Sequence, residues 1–134
     1  REVGAEETVE AGEGAAEAIR ELTGGLGAEL VVDNVGADET IALGAAVARF
    51  ASDVTVVGLA GGKIEFAFGA LPFDATLTVP YWGSAVELME VLDLARAGRI
   101  RAHVERFPLE RVDEAYVRMR EGSLDGRAVI CPNG

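Results

Sequence analysis

The residue types that most often carry chemistry are scarce here. There is one histidine, His103, and one cysteine, Cys131, too few for a structural zinc site of the usual Cys and His type. His103 falls in a polar, strand-like stretch with no evident Ser or Cys partner, so a solvated bystander outranks a general base. Nothing beside Cys131 argues for an activated thiolate, and an inert apolar thiol is its default. No catalytic residue and no metal ligand is therefore assigned. What remains is glycine at the ends of apolar runs: Val35-Gly36, Val57-Gly58-Leu59 and Trp82-Gly83. Ligands of open α/β sheets bind beyond the carboxyl ends of strands. Side by side, these three tips would offer backbone groups and one aromatic face to a planar ligand. The commoner use of such glycines is simply to make turns. Asp33 closes an apolar strand, where a carboxylate either binds a ribose hydroxyl or satisfies neighbouring amides. Arg127, in the final strand, has the reach for a phosphate, although an arginine there is more often solvated or paired.

A complete dinucleotide loop runs strand, Gly-x-Gly-x-x-Gly, helix, so that pyrophosphate meets a helix N-terminus. Gly24-Gly25-Leu26-Gly27 follows a helix rather than a strand and reads as a helix stop. Gly58-Leu59-Ala60-Gly61-Gly62 follows a strand, but nothing helical opens after it.

The elements that must position these tips follow from periodicity. Ala15, Ala18, Ile19 and Leu22 fall at helical spacing, and Leu30 to Val35 reads as a strand. Asp38 or Thr40 caps a second helix running to about Phe50. Ser52 and Asp53 then turn the chain into the β-branched run Val54 to Val57. Strand, helix, strand at this spacing is a βαβ unit, and an apolar strand of this kind calls for cover on both faces. Glu6 to Glu10 is a candidate edge strand, Ile64 to Phe68 a half-exposed one, and Ala75 to Tyr81 another. Ser84, with Glu87 three residues on, forms a capping box for a helix to about Ala97 whose wide apolar face predicts burial. Ile100 to Phe107 reads as a strand, Pro108 and Arg111 to Asp113 lead into a helix through Met119, and Arg127 to Cys131 is a last short strand. The fold class expected is α/β: a partial, parallel Rossmann-type sheet with helices on both faces and a C-terminal strand-helix-strand extension. Residues 1–83 form the first region and 84–134 the second.

Composition narrows the function classes. The 134 residues suit one compact domain, and 49% hydrophobic content can build a core. Twelve basic against 23 acidic residues give a net charge of −11, the wrong field for nucleic acid or an anionic membrane surface. No apolar run approaches the roughly 18 residues of a spanning helix. The single cysteine suits a reducing, cytoplasmic setting. Glu2, Glu6, Glu7, Glu10, Glu13 and Glu17 read as a solvated face. The chain opens with Arg1 rather than Met, which suggests a piece of something longer.

The order of motifs resembles the medium-chain, zinc-type alcohol dehydrogenases. The matching segments are Val3 to Glu7, Ile19 to Glu29, Val32-Asp33-Asn34-Val35-Gly36, Val56 to Leu59, Tyr81 to Ser84 and Glu87 to Gly98. Phe107-Pro108-Leu109, Ala115-Tyr116 and Gly122-x-x-x-Gly126-Arg127-Ala128-Val129 complete the series. Each is weak alone; their joint order is specific and covers essentially the whole chain. The resemblance implies the C-terminal part of such an enzyme, with hydride passing between an alcohol and NAD or NADP. Zinc would belong to the parent enzyme only, its ligands lying upstream. On the same basis Asn34, Val35 and Gly36 would lie by the nicotinamide-side ribose. Val57, Gly58 and Leu59 would line the nicotinamide pocket, Pro80 and Trp82 would hold the carboxamide through their backbone, and Arg127 would stand near the pyrophosphate. Pro80 has no amide to donate, so half of its contact is lost. A homodimer through the strand near Ala75 to Tyr81 is implied as well. Tail residues 100–134 would normally pack on a catalytic domain, so the isolated piece is expected to self-associate and to be inactive. Two other readings fit the same residues: a non-enzymatic α/β dimerisation or binding module, and a zinc-free quinone-reductase-like relative.

Overall fold

The computed structural model of the chain describes residues 4–133. The chain divides into two compact units, one ending at Trp82 and the other beginning at Gly83. The first unit holds α1 (Ala15–Leu22), β1 (Ala28–Asp33), α2 (Asp38–Val47), β2 (Ala48–Val56) and β3 (Thr76–Thr78). Its three strands form one sheet in the order β1-β2-β3, all parallel. The carboxyl ends of the strands therefore share one edge, as the βαβ pattern required.

Register decides which side chains share a face. Val31, Val54 and Leu77 align across the sheet, as do Asp33 and Val56. α2 covers this face with Ile41, Gly44 and Val47, all buried and all on one helical stripe. At Gly44 the approach is close: a β-carbon there would stand 3.3 Å from Val31 Cγ1 and 3.6 Å from Val54 Cγ1. Val54, 1% exposed, is the centre of this packing, and burying such a side chain contributes about 1.5–3 kcal/mol. The opposite face carries Leu30 and Val32, 62% and 50% exposed, in register with Asp53 and Thr55.

Several boundaries differ from the periodicity reading, each for a physical reason. β1 ends at Asp33, not Val35, because the Asp33 carboxylate accepts the amides of Val35 and Gly36 and folds them into a turn. α2 starts after Ala37 rather than on an Asp38 or Thr40 cap; Ala37 has no acceptor, and its amide goes to Thr40 Oγ1 at 3.0 Å. The helix stops at Val47, and the expected turn at Ser52-Asp53 lies inside a nine-residue β2. There the pairing jumps from Ala28↔Ala48 to Leu30↔Asp53, so β2 bulges, with Ala51 in the left-handed region at φ 54°. No strand forms over residues 6–10 or 64–68. The first has only Thr8 and Val9 as strand formers among glutamates. The second pairs with none of the three strands of the sheet, and Phe68 is left 95% exposed. The strand expected from Ala75 to Tyr81 shortens to β3.

The second unit holds α3 (Ala85–Arg96), β4 (Val104–Pro108), a 3₁₀ turn at Leu109–Arg111, α4 (Val112–Arg120) and β5 (Arg127–Cys131). The expected strand from Ile100 starts only at Val104. β4 and β5 pair in parallel, and Phe107 and Ala115 are buried beneath them and α4. Glu105 accepts the Arg118 guanidinium through both oxygens and the Asp125 amide at 2.7 Å, tying strand, helix and turn together. α3 begins with the expected capping box: Glu87 donates its amide to Ser84 Oγ at 3.2 Å and accepts the Ser84 amide at 2.6 Å. Its expected burial is not found. None of its residues is buried, and Val86, Leu88, Met89, Val91, Leu92 and Leu94 are all exposed, because a sequence records an apolar face but not what covers it.

Candidate functional site

The ends of β1 and β2 are knitted together by their own backbones. Asp33 Oδ1 accepts the amides of Val35 and Gly36, both at 2.9 Å, and Oδ2 accepts the Thr40 hydroxyl at 2.8 Å. The Asp33 carbonyl accepts from Val57 at 2.8 Å and from Gly58 at 3.0 Å. Further along, Ala60 donates to the Val35 carbonyl at 3.1 Å and Gly62 to the Gly36 carbonyl at 2.8 Å. Lys63 donates its amide to Asp38 Oδ1 at 2.6 Å. The loop after β2 is thus zipped onto the loop after β1. Burial works to raise the Asp33 pKa, but the Gly36 and Val35 amides and the Thr40 hydroxyl outweigh it and hold the carboxyl below its usual range.

This zipper explains two glycines without invoking a ligand. A β-carbon on Gly58 would lie 2.0 Å from the Val35 carbonyl carbon, and one on Gly36 would lie 2.3 Å from the Gly58 oxygen. The two backbones touch where the glycines are, and side chains would part them.

Beside the zipper lies a cleft of about 280 Å³. Gly36, Gly58 and Leu59 supply the strand tips, Ile41 and Val56 the floor under α2, and Leu77 and Val79 the β3 side. Its walls are apolar, and the amides of Val35, Gly36, Val57, Gly58, Ala60 and Gly62 are already used internally. A phosphate would find most of the tip amides taken, whereas an uncharged planar group meets mainly hydrocarbon and carbonyl edges. The arrangement suits a neutral ring rather than an anion.

Two of the three expected tips therefore converge, and the third does not join them. Val35 and Val57 stand in the zipper itself, Gly36, Gly58 and Leu59 line the cleft, and Asn34 lies in the turn between Asp33 and Val35 without lining it. Trp82 does not line it; that side is formed by Leu77 and Val79, while Trp82 lies 74% exposed with its ring edge-on to Tyr81. Pro80 is exposed beyond the end of β3. Arg127 belongs to the second unit, where its amide donates to the His103 carbonyl at 2.9 Å. Of the two uses open to Asp33, the structure shows the second: it satisfies neighbouring amides. Thr40, Ile41, Leu77 and Val79 are not marked as site residues by sequence, where Thr40 is only a candidate helix cap. Ile41, Leu77 and Val79 follow the signal of apolar side chains between α2 and the sheet, whereas the contact of Thr40 with Asp33 is visible only in the fold.

A larger hollow of about 620 Å³ lies between α1, α2 and residues 64–73. Its walls include Ala42, Ala45, Ala46 and Phe73, and its one cation, Arg20, already donates to the Ala46 carbonyl. It is a gap between elements without converging polar groups. Among the described residues no three of His, Cys, Asp and Glu gather to hold a metal, and no helix is long and apolar enough to cross a membrane.

Comparison with known proteins matches this geometry to a family. Residues 3–130 fit the family model described as zinc-binding dehydrogenase. The chain is 34% identical over 116 residues to D-arabinose 1-dehydrogenase (NADP(+)) of Saccharolobus solfataricus, covering 85% of this chain and 33% of that protein. It is 28% identical over 126 residues to quinone oxidoreductase-like protein 2 of Bos taurus, covering 85% and 36%. Among solved structures, the alcohol dehydrogenase of Aeropyrum pernix superposes with a TM-score of 0.82 at 28% identity, covering 96% of this chain and 38% of that one. The chain spans about a third of the length of the curated relatives it matches. Zinc itself finds no ligand set here, since Cys131 and His103 are the sole thiol and imidazole. With its parallel sheet, its strand-tip cleft and a match along nearly its whole length, the chain belongs to the zinc-binding dehydrogenase family and corresponds to the C-terminal part of a medium-chain dehydrogenase.

Proposed function

We propose that this chain supplies the nicotinamide side of an NAD(P)-binding site in an oxidoreductase that passes hydride between an alcohol and the coenzyme. The observation that carries the reading is the apolar cleft at the tips of β1 and β2, most of whose surrounding amides are consumed internally. Such a cleft takes a neutral ring and leaves the pyrophosphate to other groups. The coenzyme, when bound, supplies the hydride chemistry; this chain's residues orient the ring and exclude water from one side of it. Gly36, Gly58 and Leu59 line that wall, and Asn34, Val35 and Val57 are assigned beside it by resemblance. Pro80 and Trp82 are proposed for the carboxamide, and Arg127 for the phosphates, by resemblance. A named relative that uses NADP(+) supports a nucleotide coenzyme. Zinc chemistry is not routed through this chain, since among its described residues no group gathers to hold the metal. We further propose pairing of two copies through β3 and a cytoplasmic setting.

The test is a binding titration on the full protein that carries this chain, with NADH, NADPH and the two halves of the coenzyme. Nicotinamide mononucleotide should compete for the cleft and shift the Leu59 and Leu77 methyl resonances, whereas adenosine monophosphate should leave them unmoved. No shift with either reduced coenzyme would refute the reading. The relative named for quinone reduction favours a second substrate class. Turnover of a quinone but of no alcohol would select it.

A further inference from the structure

A buried carboxylate whose two oxygens are engaged by amides and a hydroxyl of its own chain has a structural or a positioning role. We propose that Asp33 is the positioning residue of the cleft: it sets the spacing between the β1 and β2 tips and fixes the start of α2 against them. This rests on the coenzyme reading given above.

Asp33 is 7% exposed and lies at the last position of β1, in register with Val56. From there its two ends reach three elements. The carboxylate holds the turn through the amides of Val35 and Gly36, and holds α2 through the Thr40 hydroxyl. The carbonyl holds β2 through the amides of Val57 and Gly58. Thr40 is locked in its turn, because its oxygen accepts the Ala37 amide at 3.0 Å while its single proton goes to Asp33. Gly36, Gly58 and Ile41, which line the cleft, are therefore each one or two bonds from Asp33.

Both carboxylate oxygens are engaged by the chain itself, and the side chain is buried, so Asp33 acts on a ligand through the wall it holds. The chemistry also predicts which replacements suffice. Asparagine keeps an acceptor for Val35 and Gly36, and alanine keeps none. Thr40→Ser keeps the hydroxyl, and Thr40→Val removes it at nearly constant volume.

The experiment measures NADH and NADPH affinity of the full protein carrying Asp33→Ala, Asp33→Asn, Thr40→Val or Thr40→Ser. Asp33→Ala should weaken binding about tenfold or more and Thr40→Val about threefold. Asp33→Asn and Thr40→Ser should stay within about threefold of the unaltered protein. The loss should appear equally with nicotinamide mononucleotide and be absent with adenosine monophosphate. A silent Thr40→Val beside a damaging Asp33→Asn would mean direct ligand contact by the carboxylate and would overturn positioning. Unaltered protein that binds neither coenzyme defeats the coenzyme reading alone. Hydrogen exchange without ligand then decides the present proposal. The Val35 and Gly36 amides should be protected in the unaltered and Asp33→Asn proteins and fast in Asp33→Ala. Fast exchange in the unaltered protein would overturn it.

Discussion

The contact between the two strand tips makes a sharp prediction from two glycines three residues apart, Gly58 and Gly61. Gly58 has no left-handed backbone requirement, yet a β-carbon there would lie 2.0 Å from the Val35 carbonyl carbon and 2.4 Å from its nitrogen. Ordinary contact begins near 3.4 Å, so Gly58→Ala must open the tips by about 1.4 Å, and the obstacle is backbone that cannot swing aside. That opening stretches the Val57 and Gly58 bonds to the Asp33 carbonyl, now 2.8 and 3.0 Å, beyond useful length. Two lost bonds at about 1 kcal/mol each, with the strain of overpacking added, give about 3 kcal/mol or more. Gly61 is the control. It sits at φ +82° with nothing within 4 Å, so Gly61→Ala costs only the left-handed penalty, about 1–2 kcal/mol. Urea unfolding of the chain, followed by circular dichroism and Trp82 fluorescence, measures both. A Gly58→Ala loss below about 1 kcal/mol, or one smaller than that of Gly61→Ala, would refute the account of a backbone-to-backbone zipper.

Further expectations follow from other parts of the structure. Ser52 is 1% exposed and its hydroxyl has no partner among the described residues, so Ser52→Ala should leave stability unchanged or raise it by about 1 kcal/mol, read from the urea midpoint. The Asp33 pKa is lower folded than unfolded, so its contribution is present above the unfolded carboxylate range and is lost as pH falls through the folded value. Stability should therefore decline on the acid side, and Asp33→Asn should flatten that decline in denaturation curves taken from neutral to strongly acidic pH. α3 exposes Leu88 and Leu92 on an otherwise well-capped helix, so the isolated chain should self-associate. Light scattering should show a shift toward monomer for Leu88→Glu with Leu92→Glu, and a clean monomer without them would contradict this.

Much of the local structure was legible from side-chain types. Ala15 to Leu22 is the helix its spacing announced, Ser84 and Glu87 form the capping box their separation implied, and Arg127 to Cys131 is the final strand. These features depend on neighbours in the chain, which a sequence records directly. The βαβ unit and the position of the strand tips on one sheet edge followed by the same logic. What sequence could not supply was pairing across distance. Residues 64–68 alternate like a strand but pair with none of the sheet's strands, and α3 has an apolar face left exposed among the described residues.

The site divides in the same way. Gly36, Gly58 and Leu59 could be marked from sequence because small and apolar residues at the ends of β-branched runs are local facts. The tertiary structure decided what those glycines are for. Gly36 and Gly58 let two backbones touch, and Asp33 spends both oxygens on amides and a hydroxyl brought to it by the turn and by α2. Local propensity depends on atoms a few bonds apart. Whether a carboxylate faces a ligand or a backbone depends on which groups the completed fold delivers within hydrogen-bond reach.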